Sequence, residues 1–374
     1  MANNNYPNYA LHRYLMMTLD PVHIGTGGYR LGRVDLSIAR EPGTNVPKIP
    51  GTSLSGALRQ YAAYRYGKLC CAGKRDVGDE SKKHCGLPTC PICYTFGHAK
   101  GENGGYSGTV NIFDAQILLF PVHSMAGPIW VTTEERLKAY NFQISGAPTK
   151  DEEVAIVAEL PKKDGEDNKP YWWKNSALNL GWLMLEAKPS GVISQYPNNS
   201  GFANMETWQT VAQRLVIATE KVFSQVVNSN LEVRTSVSIN PLTGAAEEGA
   251  LFTYEAIPRA TLIIMDIVED DYRDGLKPWN GSPVIRMARK EIKINNGLKK
   301  EIIWHDNDPL MTPLYPDPDN LKQPIKINGK DKGWACAIDV VKTGIELVEF
   351  LGVGGMGTRG FGRIRMLENW EVKP

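Results

Sequence analysis

The chain has 374 residues and an apolar fraction of 42%, which is typical of a globular protein long enough for one large domain or two ordinary ones. Its formal net charge of +1 excludes global attraction to a polyanion, so any nucleic-acid contact must come from a local basic surface and from backbone donors. Because no basic segment followed by an apolar core opens the chain and no apolar run approaches membrane-spanning length, we expect a cytoplasmic protein with no membrane contact.

The first half of the chain predicts strands that precede and follow a long helix. Alternation of apolar and polar residues indicates the strands, and a glycine-containing loop at 24–28 joins the first two. The predicted elements are strands at 11–20 and 33–40, a helix at 53–67, strands at 108–113 and 115–120, and a helix that begins near residue 132.

The second half predicts more helices and a hairpin. These elements are a helix at 204–226, a hairpin at 231–265 with a long polar loop at 240–249, a helix at 334–351 and a closing strand at 362–367. Two charged, poorly periodic segments, 146–175 and 268–332, are interpreted as insertions on one folded core that spans residues 1–374. The pattern predicts an α+β fold, with an RNA-recognition-motif-like (ferredoxin-like) sheet.

Two stretches near the ends of the chain have the composition of anion-binding loops. Residues 49–59 place Pro50-Gly51 before a helix that Thr52 or Ser53 can cap, and residues 352–363 are rich in glycine. Glycines let successive N–H groups converge on phosphate oxygens, and a helix N-terminus favours negative charge. The alternative is that both are tight turns; neither has the spacing of a nucleotide-binding loop.

Five of the six cysteines lie between residues 70 and 93, which indicates a metal site rather than a disulfide framework. The predicted zinc-binding insertion spans 68–97, and Cys90-Pro-Ile-Cys93 would supply two thiolates to one Zn²⁺. The expected ligands are Cys71, Cys85, Cys90 and Cys93, with Cys70 or His84 as substitutes. A redox Cys-x-x-Cys is the alternative.

Asp35 is the candidate for chemistry. In the predicted strand, the residues at 34, 36 and 38 share one apolar face and leave Asp35 on the other, close in sequence to His23. A carboxylate beside a loop that holds a phosphodiester can bind Mg²⁺ or help to deprotonate a ribose 2′-hydroxyl. A solvated strand aspartate and a structural histidine are the alternatives.

The order of these motifs resembles the RAMP superfamily of CRISPR proteins, and specifically the guide-RNA-binding backbone subunits of type III effector complexes. Residues 120–127 and 130–132 resemble the Cmr-type family, whereas the cysteine segment that ends at 90–97 is closer to Csm-like and type III-D relatives. The motifs that carry the resemblance are, in order, residues 20–27, 34–41, 49–59, 120–127 and the terminal glycine-rich loop. Ser55 and His123 stand where the family usually has lysine and arginine.

The resemblance implies a palm that grips guide RNA, a thumb hairpin at 235–256 that kinks the guide–target duplex, and catalytic roles for Asp35 with Mg²⁺ and for His23. It also implies that target RNA, other RAMP subunits and a large polymerase-like subunit are partners. The implied phosphate contacts are Thr52, Ser53, Arg59, Gly354, Gly355, Thr358, Arg359 and Gly360. A non-catalytic RNA scaffold and a metal-free guide-processing ribonuclease are the alternatives.

Overall fold

The structure of the protein is a computed structural model. It describes residues 9–27, 34–73, 84–86, 90–101, 104–161, 172–197, 201–247, 249–270 and 336–372, together with the backbone of four short strands between 289 and 331. Most of the predicted insertion at 268–332 and part of the predicted zinc-binding insertion lie outside these residues. No helix in the described part is long and apolar enough to cross a membrane.

The described elements are twenty strands and six α-helices, apart from short 3-10 turns. The strands are β1 (Tyr9–Thr18), β2 (Lys48–Ile49), β3 (His98–Gly101), β4 (Gly104–Tyr106), β5 (Val110–Ile112), β6 (Ala115–Ser124), β7 (Gly127–Thr133), β8 (Gln143–Ser145), β9 (Glu153–Glu159), β10 (Ala177–Leu180), β11 (Leu183–Gln195), β12 (Leu215–Ala218), β13 (Glu232–Ser236), β14 (Phe252–Ala256), β15 (Leu262–Asp270), β16 (Arg289–Lys293), β17 (Lys300–Trp304), β18 (Lys326–Ile327), β19 (Lys330–Asp331) and β20 (Ile364–Val372). The helices are α1 (Gly51–Arg65), α2 (Pro91–Phe96), α3 (Glu134–Ala139), α4 (Glu206–Ala212), α5 (Glu220–Ser229) and α6 (Ala337–Leu351).

Twelve of the strands form one mixed sheet in the order β10-β11-β9-β12-β7-β6-β15-β1-β20, with β2 on β6, β5 on β15 and β8 on β11. β1 is antiparallel to both of its neighbours, β15 and β20. β7 and β12 are parallel, as are β9 and β11. The prediction of a chain that mixes helices and strands is confirmed.

Helices cover both faces of the sheet at β1. Met16 is buried in the same apolar cluster as Leu58 of α1 and Val341 of α6. Leu15 belongs to a second cluster that includes Trp208 of α4. Because successive side chains of a strand point to opposite faces, the alternation of β1 fixes which helices lie on which side. Helices α1 and α6 therefore lie on the face of the sheet that carries Met16.

Two sequence predictions of secondary structure are wrong. Residues 34–40 form isolated bridges instead of a strand of the main sheet. The predicted helix at 204–226 is divided by β12, because Leu215–Ala218 are all buried and pair with β7 and β9. The segment 146–175 contributes the buried strand β9 to the sheet; of the rest, residues 162–171 lie outside the described part.

The expected hairpin is present. β13 and β14 pair antiparallel from Glu232 with Ala256 to Ser236 with Phe252, and the polar segment between them is largely exposed. The hairpin belongs to a two-stranded sheet separate from the central one. Its base bonds to residues 35, 36 and 38, while Ala39 accepts from Lys48 N–H of β2 at 3.1 Å.

Candidate nucleic-acid interface and metal-binding cluster

Two neighbouring grooves follow helix α1, with volumes of about 520 Å³ and 320 Å³. Ser53 lines both of them, and exposed Thr52 lines the first. The first groove is bordered by residues of the loops at 24–26 and 39–45, and the second by residues of the glycine-rich loop, 352–362. The two predicted anion-binding stretches therefore meet along one helix.

The N-terminus of α1 is already bonded to a carboxylate. The N–H of Gly51 donates to Asp114 Oδ1 at 2.7 Å. Glycine is required here because a Cβ would lie 2.3 Å from the carbonyl oxygen of Ile112. Asp114 thus binds the N–H group that the sequence predicts for a phosphate. The sequence gives no sign of this contact, because Asp114 lies 63 residues from Gly51. Contacts with an anion in the first groove then fall to the side chains of Thr52 and Ser53.

The glycine-rich loop packs against the backbone of His23. Gly355 N–H donates to the His23 carbonyl at 2.9 Å. Gly354 has φ +88°, and a Cβ there would lie 2.5 Å from the same oxygen. The outer part of the loop, which includes Thr358, Arg359 and Gly360, is exposed. The loop thus has one side fixed to the fold and the other free to meet a ligand.

His23 is buried at the junction of the two loops. Its Nδ1 lies 2.7 Å from the carbonyl oxygen of Glu255. Because a carbonyl oxygen only accepts, Nδ1 carries the hydrogen, and a neutral ring keeps its lone pair on Nε2. A Cβ at Gly25 would lie 3.2 Å from Nε2, so the glycine keeps the space beside that nitrogen clear.

Asp35 is exposed and lies beside β14. Its Oδ2 accepts from the N–H of Thr253 at 2.7 Å and from the Thr253 hydroxyl at 2.9 Å. These two bonds, the backbone one first, hold the pKa of Asp35 below its usual range. The described residues give Oδ1 no hydrogen-bond donor, so this oxygen faces outward as a negatively charged acceptor.

The Asp35 segment also borders the first groove. Thr26 N–H donates to the Ser37 carbonyl at 3.3 Å, and Ile38 bridges Gly25. The same segment also contacts the hairpin, because Ile38 N–H donates to Glu255 Oε1 of β14 at 2.9 Å. Residues 34–40 therefore lie between the groove and the hairpin. Asp35 and His23 both contact β14, Asp35 at Thr253 and His23 at the carbonyl of Glu255.

Aromatic and cationic side chains join the hairpin base to the glycine-rich loop. Phe361 contacts the ring of Tyr254, with 5.4 Å between centroids. The guanidinium of Arg359 lies over the ring of Phe252 at 5.2 Å. Arg359 remains exposed. An exposed cation stacked on a partly buried aromatic ring is an arrangement that suits contact with RNA phosphates.

The four predicted metal ligands come together. The sulfur atoms of Cys71, Cys85, Cys90 and Cys93 all lie within 4.8 Å of one another. The Sγ–Sγ distances are 3.6 Å for Cys71 with Cys85, 3.7 Å for Cys85 with Cys93 and 3.9 Å for Cys71 with Cys90. A tetrahedral Zn²⁺ with bonds of about 2.3 Å requires separations of about 3.8 Å, so these residues fit such an ion. Burial raises the pKa of the Cys90 thiol, which a bound cation would reverse.

Arg59 faces this cluster. Its Nε donates to the carbonyl of Cys71 at 2.8 Å, Nη1 to that of Phe96 at 3.3 Å, and Nη2 to His84 Nδ1 at 3.1 Å. Three of its donors are thus used within the cysteine segment, which argues against the phosphate contact expected from the sequence. The bond from Arg59 Nη2 occupies Nδ1 of His84, so that nitrogen is not free to replace a cysteine as a metal ligand.

A family model of the RAMP superfamily matches residues 16–365. The chain belongs to the RAMP superfamily. This confirms the resemblance drawn from the five motifs. A curated RAMP relative, the CRISPR system Cmr endoribonuclease Cmr4 of Pyrococcus furiosus, is 29% identical over 255 residues, which is 66% of this chain and 77% of the relative.

One solved structure similar to this RAMP chain is a type III-B Cmr-beta complex bound to cognate target RNA. The matched chain of that complex is 15% identical in sequence, and the TM-score is 0.49. The match covers 72% of this chain and 87% of the chain in the complex. A second is a crystal structure of oligomeric Cmr4 from Pyrococcus furiosus, with 17% sequence identity and a TM-score of 0.48. This match covers 98% of this chain and 99% of the Cmr4 chain. Membership of the superfamily rests on the family match and not on these two structures.

Proposed function

We propose that this chain is a guide-RNA-binding backbone subunit of a type III CRISPR effector complex, and that it cleaves the complementary target RNA at Asp35. Its partners would be guide RNA, target RNA, further RAMP subunits and a large polymerase-like subunit. The observation that carries the proposal is the meeting of three features at one place. These are the grooves along α1, the Asp35 segment and the base of the hairpin β13–β14.

We also propose that β1, α1, β6, β15, α6 and β20 form the ferredoxin-like palm. Their order along the chain is βαββαβ, and the strands lie in the order β20-β1-β15-β6 across the sheet. That is fourth, first, third and second strand, with antiparallel neighbours. The hairpin between β12 and β15 would be the thumb, and exposed Leu242 near its tip would meet the nucleic acid.

The guide RNA would follow α1 with its backbone, while base pairing to the target supplies sequence specificity. Thr52 and Ser53 would contact phosphates in the first groove. Gly354, Gly355, Thr358, Arg359 and Gly360 would supply backbone and side-chain donors along the second. Such contacts read the shape of RNA and not its sequence.

Asp35 is better suited to hold charge than to take a proton. Its lowered pKa keeps the carboxylate ionised at a pH where an ordinary aspartate begins to protonate, so it is a weak base near neutrality. Its outward Oδ1 would hold Mg²⁺ together with RNA phosphate oxygens, because Mg²⁺ commonly takes one or two carboxylates plus substrate phosphates. When bound, the ion would stabilise negative charge that develops at the phosphate.

In the proposed reaction, the ribose 2′-hydroxyl gives its proton to His23 Nε2 while its oxygen bonds to the adjacent phosphorus. The bond from that phosphorus to the 5′-oxygen of the next nucleotide breaks, the leaving oxygen takes a proton from water, and a 2′,3′-cyclic phosphate remains. His23 would assist through Nε2, the nitrogen that the Glu255 carbonyl leaves without a hydrogen. A buried imidazole held from one side has a fixed orientation, which suits a proton acceptor. Because Asp35 supplies the fixed charge, we expect loss of His23 to be milder than loss of Asp35.

We further propose that the four-cysteine cluster holds a structural Zn²⁺ and takes no part in the chemistry. The ion would join the start of α2, where Cys90 is the N-cap residue and Cys93 lies in the first turns of the helix, to the segments that carry Cys71 and Cys85. Cys71, Cys90 and Cys93 are buried with Ala62 and Ala63 of α1 in one apolar cluster. The zinc module would therefore support the helix that lines both grooves.

The test of the function compares target cleavage by complexes assembled around wild-type chain, Asp35→Asn and Asp151→Asn. Asp35→Asn keeps the shape of the side chain but removes its charge, so guide binding should survive while one cleavage position disappears from a denaturing gel. Asp151 pairs with Lys221 at 2.7 Å away from the grooves, and its variant should cleave normally.

Metal dependence is measured in the same assay. Cleavage should stop in chelator and return on addition of Mg²⁺ while Zn²⁺ alone does not restore it. An unchanged set of fragments with Asp35→Asn would support the scaffold interpretation, and cleavage that persists in chelator would support a metal-free ribonuclease.

A further inference from the structure

The carboxylate of Asp35 is positioned by the hairpin β13–β14 and not by the central sheet. Leu36 makes a parallel bridge with Tyr254 of β14. Its N–H donates to the Thr253 carbonyl at 3.0 Å, and its carbonyl accepts from Glu255 N–H at 3.2 Å. The segment is therefore bonded through one bridge to the base of the hairpin, and the position of Asp35 depends on that of β14.

Thr253 closes a small ring of hydrogen bonds with Asp35. Its hydroxyl oxygen accepts from the Asp35 N–H at 3.1 Å and donates its own hydrogen to Oδ2 at 2.9 Å. Its N–H donates to the same Oδ2 at 2.7 Å. One residue thus fixes both the backbone and the side chain of Asp35, and it leaves Oδ1 pointing outward.

β14 is itself held by contacts beyond those that Thr253 makes. Glu255 Oε1 pairs with Arg40 Nη1 at 2.6 Å, and both side chains are largely buried. Arg40 also donates to Asn228 of α5 at 3.1 Å. The ring of Tyr254 packs on Phe361 of the glycine-rich loop. Through these contacts β14, and with it Thr253, is tied to Arg40, to α5 and to the glycine-rich loop.

We propose that Thr253 is the positioning residue for Asp35, and that its hydroxyl orients the carboxylate toward the scissile phosphate. This rests on the proposed function, because it assigns Asp35 to target cleavage. Thr253 itself contacts neither the reacting atoms nor the metal. A misplacement of about 1 Å in a reacting group can lower a rate by about 100-fold, and the backbone bond that remains would limit the loss.

The test uses Thr253→Val, which keeps the branched shape and the backbone N–H but removes the hydroxyl. We expect the single-turnover cleavage rate to fall about 10-fold, with target affinity unchanged within about 2-fold. Thr253→Ser restores the hydroxyl and should return most of the rate. Thr210→Val is the matched control. Thr210 is exposed on α4, its hydroxyl donates to the Glu206 carbonyl at 3.0 Å, and its variant should cleave normally.

The outcomes separate this inference from the proposed function. If Asp35→Asn abolishes cleavage and Thr253→Val leaves the rate unchanged, the positioning role is wrong and the function stands. If Thr253→Ser is as slow as Thr253→Val, the effect is not that of the hydroxyl and the inference also falls. If Asp35→Asn cleaves normally, both are overturned.

Discussion

Gly344 of α6 lies directly against the backbone of Leu58 in α1, and a Cβ at position 344 would come within 2.6 Å of the Leu58 carbonyl oxygen. That contact sets how closely the two helices approach each other. Gly344→Ala must push α6 away from α1 and should lower the free energy of unfolding by about 1–3 kcal/mol, although alanine favours helices by about 1 kcal/mol. Urea unfolding of the isolated chain measures the change.

Gly56 is the matched control for this substitution. It lies in α1, is exposed, and an added Cβ would meet no described atom within 4 Å. Gly56→Ala should raise the free energy of unfolding by up to about 1 kcal/mol. If both variants stabilise the chain equally, α1 and α6 are not in the tight contact described.

The cysteine cluster predicts about one Zn²⁺ per chain. Cys90→Ser, which changes a fully buried ligand, should lower the zinc content and destabilise the segment beneath α1, because a structural ion contributes directly to folding. Elemental analysis and thermal melting measure the two effects. Cys336 lies outside the cluster, at the N-cap of α6, so the control variant Cys336→Ser should retain its zinc. Metal-free wild-type protein that is folded and stable would contradict the site.

Arg59 distinguishes a role at the cysteine cluster from a role at the RNA. Arg59→Met keeps much of the side-chain volume but removes the bonds to Cys71, Phe96 and His84. We expect chelator to remove zinc about 10-fold faster, since groups that orient metal ligands typically affect metal affinity by 10- to 100-fold. The salt dependence of guide binding should not change. Normal zinc release with a flatter salt dependence would instead restore the phosphate role.

Local patterns predicted the elements that carry strong periodicity. β1, α1 and α6 lie within a few residues of their predicted bounds. The predicted start of α3 is also correct, because the Thr133 hydroxyl accepts from Arg136 N–H at 3.2 Å as an N-cap. The four-cysteine cluster was predictable because its ligands are close in sequence and two of them share a Cys-x-x-Cys spacing.

Contacts between distant parts of the chain were not predictable in this way. Thr253 and Glu255 hold the Asp35 segment from 218 and 217 residues away, and no local signal marks either of them. The alternation at 34–38 has two origins: Leu36 packs on the hairpin cluster, and Ile38 is buried in the large core beside the main sheet. The pattern around β12 predicts helix, because a short, fully buried strand is apolar on both faces and lacks the period that separates strand from helix.

Arg359 gives the sharpest test of the RNA-binding surface. Its guanidinium is exposed above the ring of Phe252, and the described residues place no carboxylate in an ion pair with it. Arg359→Ala should weaken binding of all guide sequences by a similar factor, because phosphate contacts carry no sequence information. The slope of log affinity against log salt should fall by about 0.7, the value for one phosphate contact on a single strand.

Lys138→Ala removes one positive charge elsewhere and serves as the control. Lys138 is exposed on α3 and pairs with Glu134, and the neighbouring Leu137 packs in the apolar cluster on the face of the sheet opposite α1. This variant should leave both affinity and slope unchanged, since a charge outside the grooves releases no counterion from the RNA. If Arg359→Ala instead reduced binding of some guide sequences and spared others, Arg359 would be reading bases, and the glycine-rich loop would not be a general phosphate site.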